Sequence, residues 1–462
     1  MEHLGVEIDM KNSPLLDKQF MPISLFRKGF LASATKPVAI SVERNNGLRA
    51  VYDTYITGEN EAADRYYIER LVKTLLWIKG GFKVAIYGDN SIAAYIKETY
   101  GKDGARAFDN EFMSRIYERE FEVVSLPLSE KPTQNERSMT IGGNFSGCRI
   151  GFDAGGSDRK VSAVIDGTPV YSEEVVWCPK IRSDPEYHFS EIVKAFNTAA
   201  EKMPRVDAIG VSSAGIYIDN RTMAASLFLK VPPEAFEQKV KDIYIRAAKE
   251  IGDVPVQVVN DGDVTALAGA LELKGGNILG IAMGTSEASG YVDKDGNITG
   301  WLNELAFAPV DVSENAMEDE WSGDIGCGVK YFSQDGVIKL AVNAGIEFDA
   351  NANLTPGEKL KFIQNLLEED SNGGSNQDCS IIRGIFESIG YYLGHTLPYY
   401  NEFYNQKCVL LLGRVMSGEG GNIIVRSAEK VLREEYPECD FVLHIPDEKN
   451  RRVGQSVAAA SL

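Results

Sequence analysis

The feature that most constrains this chain is a pattern that occurs twice. Arg149–Asp153 (RIGFD) reads as a strand and Asp153-Ala154-Gly155-Gly156-Ser157-Asp158 as a glycine turn. Lys160–Ile165 reads as the returning strand, and Asp166-Gly167 as a tight turn into a third. Farther on, Asn277–Met283 (NILGIAM) reads as a strand, GTSEASG as a glycine turn, Gly290–Asp293 as a strand and Asp295-Gly296 as a second tight turn. Helices follow each meander. Between them, Val206–Ser212 and Val254–Val259 are apolar strands on either side of a helix predicted over Glu234–Ile251. Two such α/β lobes, with their glycine turns facing one another, would enclose a cleft. The helical stretch Pro356–Tyr399 and the strand Cys408–Leu412 are expected in the second lobe.

Ahead of the first meander, Ser129–Gly147 (SEKPTQNERSMTIGGNFSG) is polar and glycine-bearing, which sets a boundary near residue 145. The segment before it carries its own α/β signals. Lys36–Glu43 and Leu48–Ile56 read as a hairpin about Asn45-Asn46-Gly47, Ala62–Trp77 as a helix and Phe82–Tyr87 as a buried strand. The expected layout is therefore an accessory α/β domain at 1–145, a first lobe at 146–270 with a helix at 453–462 packing back on it, and a second lobe at 271–452.

Composition narrows the function classes. The 462 residues are 44% hydrophobic and 25% charged, as in ordinary globular proteins. With 48 basic against 67 acidic residues, the net charge of −19 disfavours broad attraction to nucleic acid or anionic lipid. No apolar run approaches the ~20 residues of a membrane span, and the start lacks the pattern of a signal peptide. Six scattered cysteines show neither a disulfide framework nor metal-finger spacing. A cytoplasmic enzyme is the expectation.

The glycine turns carry the chemistry. Residues without Cβ let backbone amides approach an anion, so Gly155, Gly156 and Ser157 suit phosphate oxygens, and Gly284, Thr285 and Ser286 suit the same polyphosphate from the other lobe. Asp153, at a strand end, could reach phosphate-bound Mg²⁺ directly or through water. The strand VPVQVVN ends at Asn260-Asp261, followed by the apolar helix Val264–Leu273. A helix N-terminus favours an ionised carboxylate there, making Asp261 a candidate general base and Asn260 a residue that orients the hydroxyl. Capping is the commoner duty of such residues. Walker and GxGxxG motifs are absent.

The order of these motifs resembles the ROK family of sugar kinases, within the actin/hexokinase/Hsp70 (ASKHA) superfamily, over about residues 148–462. Gly151–Asp153 with Gly155-Gly156-Ser157 is similar to its first phosphate motif, Gly284–Gly290 to the second, and Val259-Asn260-Asp261 to the pair that ends in the catalytic base. Ile209–Gly215, which holds Ser213, resembles the segment before the sugar loop, and Asn303-Glu304-Leu305 the segment whose glutamate contacts sugar. Val409–Gly413 with Arg414 resembles the adenosine-site strand and turn, and Val453–Leu462 the final helix. The resemblance implies a two-lobed ASKHA fold, ATP and Mg²⁺, a sugar or polyol acceptor, glucokinase-like chemistry and a homodimer.

Departures accompany it. Phe307 stands where the family has histidine, Val329 replaces a sugar-contacting glutamate, Glu287 enters the second phosphate turn and Arg414 replaces glycine. The family's zinc-binding cysteines are reduced to Cys327, so no structural zinc is expected. The rivals to a kinase are a catalytically silent sugar or nucleotide sensor and a ROK-type transcriptional regulator. Residues 1–145, close to neutral at about −1 and rich in strand signals, lack the basic recognition helix a regulator needs.

Overall fold

Asn46 and Gly47 adopt left-handed φ of 61° and 70°, and this turn folds β1 (Lys36–Glu43) back on β2 (Arg49–Ile56) in the expected hairpin. β1 also pairs antiparallel with β3 (Lys83–Tyr87), which runs parallel to β4 (Glu122–Leu126), giving the order β2-β1-β3-β4. Helices α1 (Asn90–Thr99) and α2 (Ala107–Tyr117) supply the crossover that a parallel pair requires. The computed structural model describes residues 1–138, 142–348, 353–371, 379–446 and 455–462.

The predicted helix at Ala62–Trp77 spans Glu61–Lys79 and is buried nearly all round. Asp64, Glu69, Arg70 and Lys73 are within the core, although charged positions at helical spacing normally mark a solvated face. Partners make this possible. Asp324 accepts from Arg70 at 2.9 Å, Lys73 at 3.0 Å and Arg106 at 2.8 Å, while Asp109 receives Lys73 at 3.3 Å. The segment 1–137 thus belongs to one compact unit with Ile281–Ser289 and Trp301–Ile445; Ser138–Gly280, Gly290–Gly300 and Pro446–Leu462 form the other. Within the first unit the early part of the supposed linker is engaged: Asn135 pairs with Arg49 through two backbone hydrogen bonds, and the Trp301 indole donates to Glu136 at 3.0 Å. Residues 139–141 of that linker lie outside the described part.

In the second unit β5 (Cys148–Ala154), β6 (Asp158–Ile165) and β7 (Thr168–Val176) form the first predicted meander. Parallel strands β8 (Ala208–Ser213) and β9 (Val256–Asn260) extend it to the order β9-β8-β5-β6-β7. Helices α3 (Pro185–Ala200) and α4 (Ile243–Ile251) cover one face, and Phe152, Val161, Ile192, Phe196, Val211 and Tyr244 share a core with them. Residues 455–460 form the closing helix; the predicted Val453 and Gly454 lie outside the described residues. A Cβ on Gly151 would sit 1.8 Å from the Ser456 carbonyl, and one on Gly210 would sit 1.7 Å from that of Ala459, so only glycine allows this approach.

Two expectations need correction. The second meander has β10 (Ile278–Met283) and β11 (Glu287–Val292), but after its tight turn, among the described residues, a single bridge from Val292 to Ile298 stands in place of a third strand. The helix predicted at Glu234–Ile251 is a short turn at Pro233–Ala235, a π-turn at Phe236–Val240 and then α4. The expected helical stretch Pro356–Tyr399 is helical at Pro356–Ser371 and Cys379–Tyr404, and residues 372–378 lie outside the described part. Strand Cys408–Leu412 forms as expected and pairs parallel with Val442–His444.

Candidate active site

Parallel registration sets the geometry of the second unit's candidate site. Ser212 lies opposite Asp153 and Ser213 opposite Asn260, so Asp153 and Asp261 emerge at the carboxyl ends of strands that flank β8. Open α/β sheets bind ligands at that end. Asp153 is buried, accepts from the Ser212 hydroxyl at 2.9 Å and lies 3.9 Å from Lys160. Burial outweighs both partners and, with the Asp261 and Asp158 carboxylates nearby, raises its pKa to about 6.

Asp261 is the first residue of its helix, Asp261–Leu273, with Asn260 as N-cap. Burial raises its pKa, opposed by the Gly262 amide at 3.0 Å and by Lys180. The ionised state that a helix N-terminus was expected to favour is thus countered by desolvation. Asn260 spends both ends of its amide, donating to the Gly215 carbonyl at 2.7 Å and accepting the Gly262 amide at 2.7 Å. Ser213 is buried and bonded to the hydroxyls of Tyr244 and Tyr217, at 2.8 and 2.6 Å.

Above Asp153, Gly155 lies partly open, while Gly156 and Ser157 are exposed. Trp177, one residue past β7, clasps this turn: its indole donates to the Gly155 carbonyl at 2.8 Å and its amide to the Ser157 carbonyl at 3.1 Å. A Cβ on Gly155 would meet the Asp158 carbonyl at 2.7 Å, so the turn closes only around glycine.

The remaining predicted positions belong to the first unit. Arg414 donates to the Thr285 hydroxyl at 2.6 Å, joining the supposed adenosine turn to the second glycine turn, and both side chains are exposed. Gly413 has φ of +94°, and a Cβ there would lie 2.2 Å from the Met283 carbonyl. Ser286 is exposed; the Gly284 carbonyl accepts the Gln334 amide. Glu287 points inward: it is 3% exposed, neither carboxylate oxygen has a hydrogen-bond partner among the described residues, and burial beside Glu304 pushes its pKa well above the usual range.

Asn303 and Glu304 are held by backbone bonds to the end of the buried helix Glu61–Lys79, their amides donating to the Ile78 and Trp77 carbonyls at 3.0 and 2.9 Å. Phe307 stacks on Trp77 at 4.2 Å and lies 5.7 Å from Phe108. The position where a histidine was expected from the resemblance is therefore packed against the N-terminal segment. Cys327 is buried with its thiol 3.7 Å from Asp324 and its pKa raised by burial. Among the described residues no three His, Cys, Asp or Glu side chains group as a metal site, and no helix is long and apolar enough to cross a membrane.

Sequence reasoning missed Ser212, Trp177 and Lys180. Ser212 could have been found by aligning the two predicted parallel strands; the other two follow β7 and carry no periodic signal.

No protein-family model matches the chain, and no curated protein matches it. Solved structures do. A ROK hexokinase from Thermus thermophilus superposes with TM-score 0.51 at 17% identity, covering 68% of this chain and 97% of that one. A ROK family glucokinase from Streptomyces griseus, solved with glucose and AMPPNP, gives 0.48 at 18%, covering 68% and 98%. A ROK family transcriptional regulator, a homologue of the E. coli MLC protein, gives 0.49 at 18%, covering 69% and 78%. The chain has the α/β, two-lobed actin/hexokinase/Hsp70 fold, in the form seen in the Thermus hexokinase.

Proposed function

We propose that this chain is an ATP-dependent phosphotransferase of the ROK sugar-kinase type, glucokinase-like, acting on a sugar or polyol hydroxyl. The observation that carries the reading is the pair of acids, Asp153 and Asp261, at the carboxyl ends of strands on either side of β8, with an exposed glycine turn beside them. Asp261 accepts the acceptor's proton. Its raised pKa makes it a stronger base than a free carboxylate, closer to the pKa a neutral-pH base requires. Backbone amides of Gly155, Gly156 and Ser157 bind phosphate oxygens, and Thr285 with Arg414 serves the nucleotide. Glu304 reads the sugar.

Asp153 and Ser212 offer the hard oxygens that Mg²⁺ accepts, and Asp153 would hold the ion through water. Bound Mg²⁺ neutralises charge on the polyphosphate. Cytoplasmic location and a homodimer accompany the proposal.

ATP turnover against a panel of sugars and polyols tests it; absence of turnover with every acceptor overturns it. A second reading, a silent sensor, is favoured by Phe307 packed on Trp77 and by the committed amide of Asn260. It predicts a ligand-induced rise in melting temperature without turnover. A salt-dependent DNA shift would indicate a regulator, which the charge of −19 disfavours.

A further inference from the structure

Three cations surround the first glycine turn. Arg159 is paired with Glu191 at 3.0 Å and Glu173 at 3.6 Å. Lys160 is paired with Asp158 at 3.1 Å and approaches Asp153 at 3.9 Å. Lys180 is exposed and, among the described residues, has no carboxylate partner within 4.0 Å. Its backbone is nonetheless anchored. It follows Trp177 and Pro179, both buried, and the Pro179 carbonyl lies 3.0 Å from Nε2 of the buried His188.

The side chain reaches back over the turn. A Cβ built on Gly156 would lie 2.8 Å from its Cε and 2.9 Å from its Nζ. The same charge also acts on the Asp261 carboxylate. One uncommitted ammonium thus bears on both the phosphate turn and the candidate base.

We propose that Lys180 is a catalytic residue that binds the transferred phosphoryl group, donating to its oxygens between the Gly155–Ser157 turn and Asp261. This rests on the kinase reading above. In the step itself, the acceptor oxygen forms a bond to the γ-phosphorus as the bond to the ADP oxygen breaks. The hydroxyl proton passes to Asp261 and the electron pair leaves with ADP. The Lys180 ammonium donates to the equatorial oxygens and counters their charge.

The test compares Mg·AMPPNP with Mg·ADP by calorimetry on the full chain, wild type against Lys180→Ala and Lys180→Arg. Because Lys180 is exposed, all three should melt alike. Lys180→Ala should weaken AMPPNP about tenfold or more, the worth of one charge-assisted hydrogen bond. ADP affinity should stay within about twofold, and Lys180→Arg should bind AMPPNP within about threefold of wild type. Unchanged AMPPNP binding in Lys180→Ala, or equal losses for both nucleotides, overturns the assignment and leaves the kinase reading intact. A wild-type chain that binds neither nucleotide overturns both.

Discussion

At the scale of single residues, burial pushes both acids toward the protonated form, while the proposed roles need both ionised. If Asp261 deprotonates the acceptor, Asp261→Asn should lower turnover about 10²–10⁴-fold with nucleotide affinity little changed; near-normal turnover in a folded variant removes Asp261 from that role. Asp153 adds a pH signature. Its folded pKa of about 6 stands above the ordinary 3.8, so between those values the folded chain holds a proton that the unfolded chain has released. Stability from this group is therefore highest at low pH and falls as pH rises through about 4 to 6, reaching a cost of about 3 kcal/mol. Asp153→Asn removes that cost: it should melt higher than wild type at pH 8 and gain nothing at pH 4, while binding Mg·nucleotide more weakly. A stability gain that does not change with pH would count against the assignment.

At the scale of elements, the best-read parts were those that carry their own punctuation. The hairpin at Asn45-Asn46-Gly47 and the meander around Gly155 and Asp166-Gly167 need left-handed or Cβ-free positions, which the residue types announce. The buried helix Glu61–Lys79 was legible as a helix, but not its surroundings. Its charges meet partners 254 residues away in sequence, as with Arg70 and Asp324, and no local pattern encodes that. The π-turn at Phe236–Val240 was likewise invisible, because its residues are consistent with an ordinary helix. At the site, Asp153 and Asp261 could be picked out by position, whereas the ties that occupy Asn260 and Ser213 depend on tertiary register. The loop around Asp324 and Cys327 offers a test of how that element is held. Asp324→Asn leaves Arg70 and Arg106 to share Glu69 and leaves Lys73 with Asp109, and should cost about 3 kcal/mol in denaturant unfolding. Protein purified without added metal should carry less than one equivalent of zinc; a stoichiometric amount surviving chelator dialysis would show that the loop depends on metal instead.

At the scale of the whole molecule, we propose that residues 1–145 act as an accessory domain with a part in building the acceptor site. Trp77 and Ile78 hold the backbone of Glu304 and Asn303, Thr74 shares a hydrogen bond with Tyr399, and Lys339 reaches Asp17 at 2.5 Å. Protease cutting within 129–147 should therefore leave fragments that co-elute under native conditions. Two separable fragments, with 148–462 stable alone, would sink this proposal. The glycine contacts at Gly151 and Gly210 carry a further consequence, for synthesis. The helix they admit spans residues 455–460, so the sheet begun at Cys148 keeps that part of one face unsealed until some 300 further residues have been made. At about 5–20 residues per second, some 300 residues of further synthesis leave that face open for roughly 15–60 s. A nascent chain of this kind should recruit chaperones late, and truncation ahead of residue 455 should be as damaging as a mutation in the core.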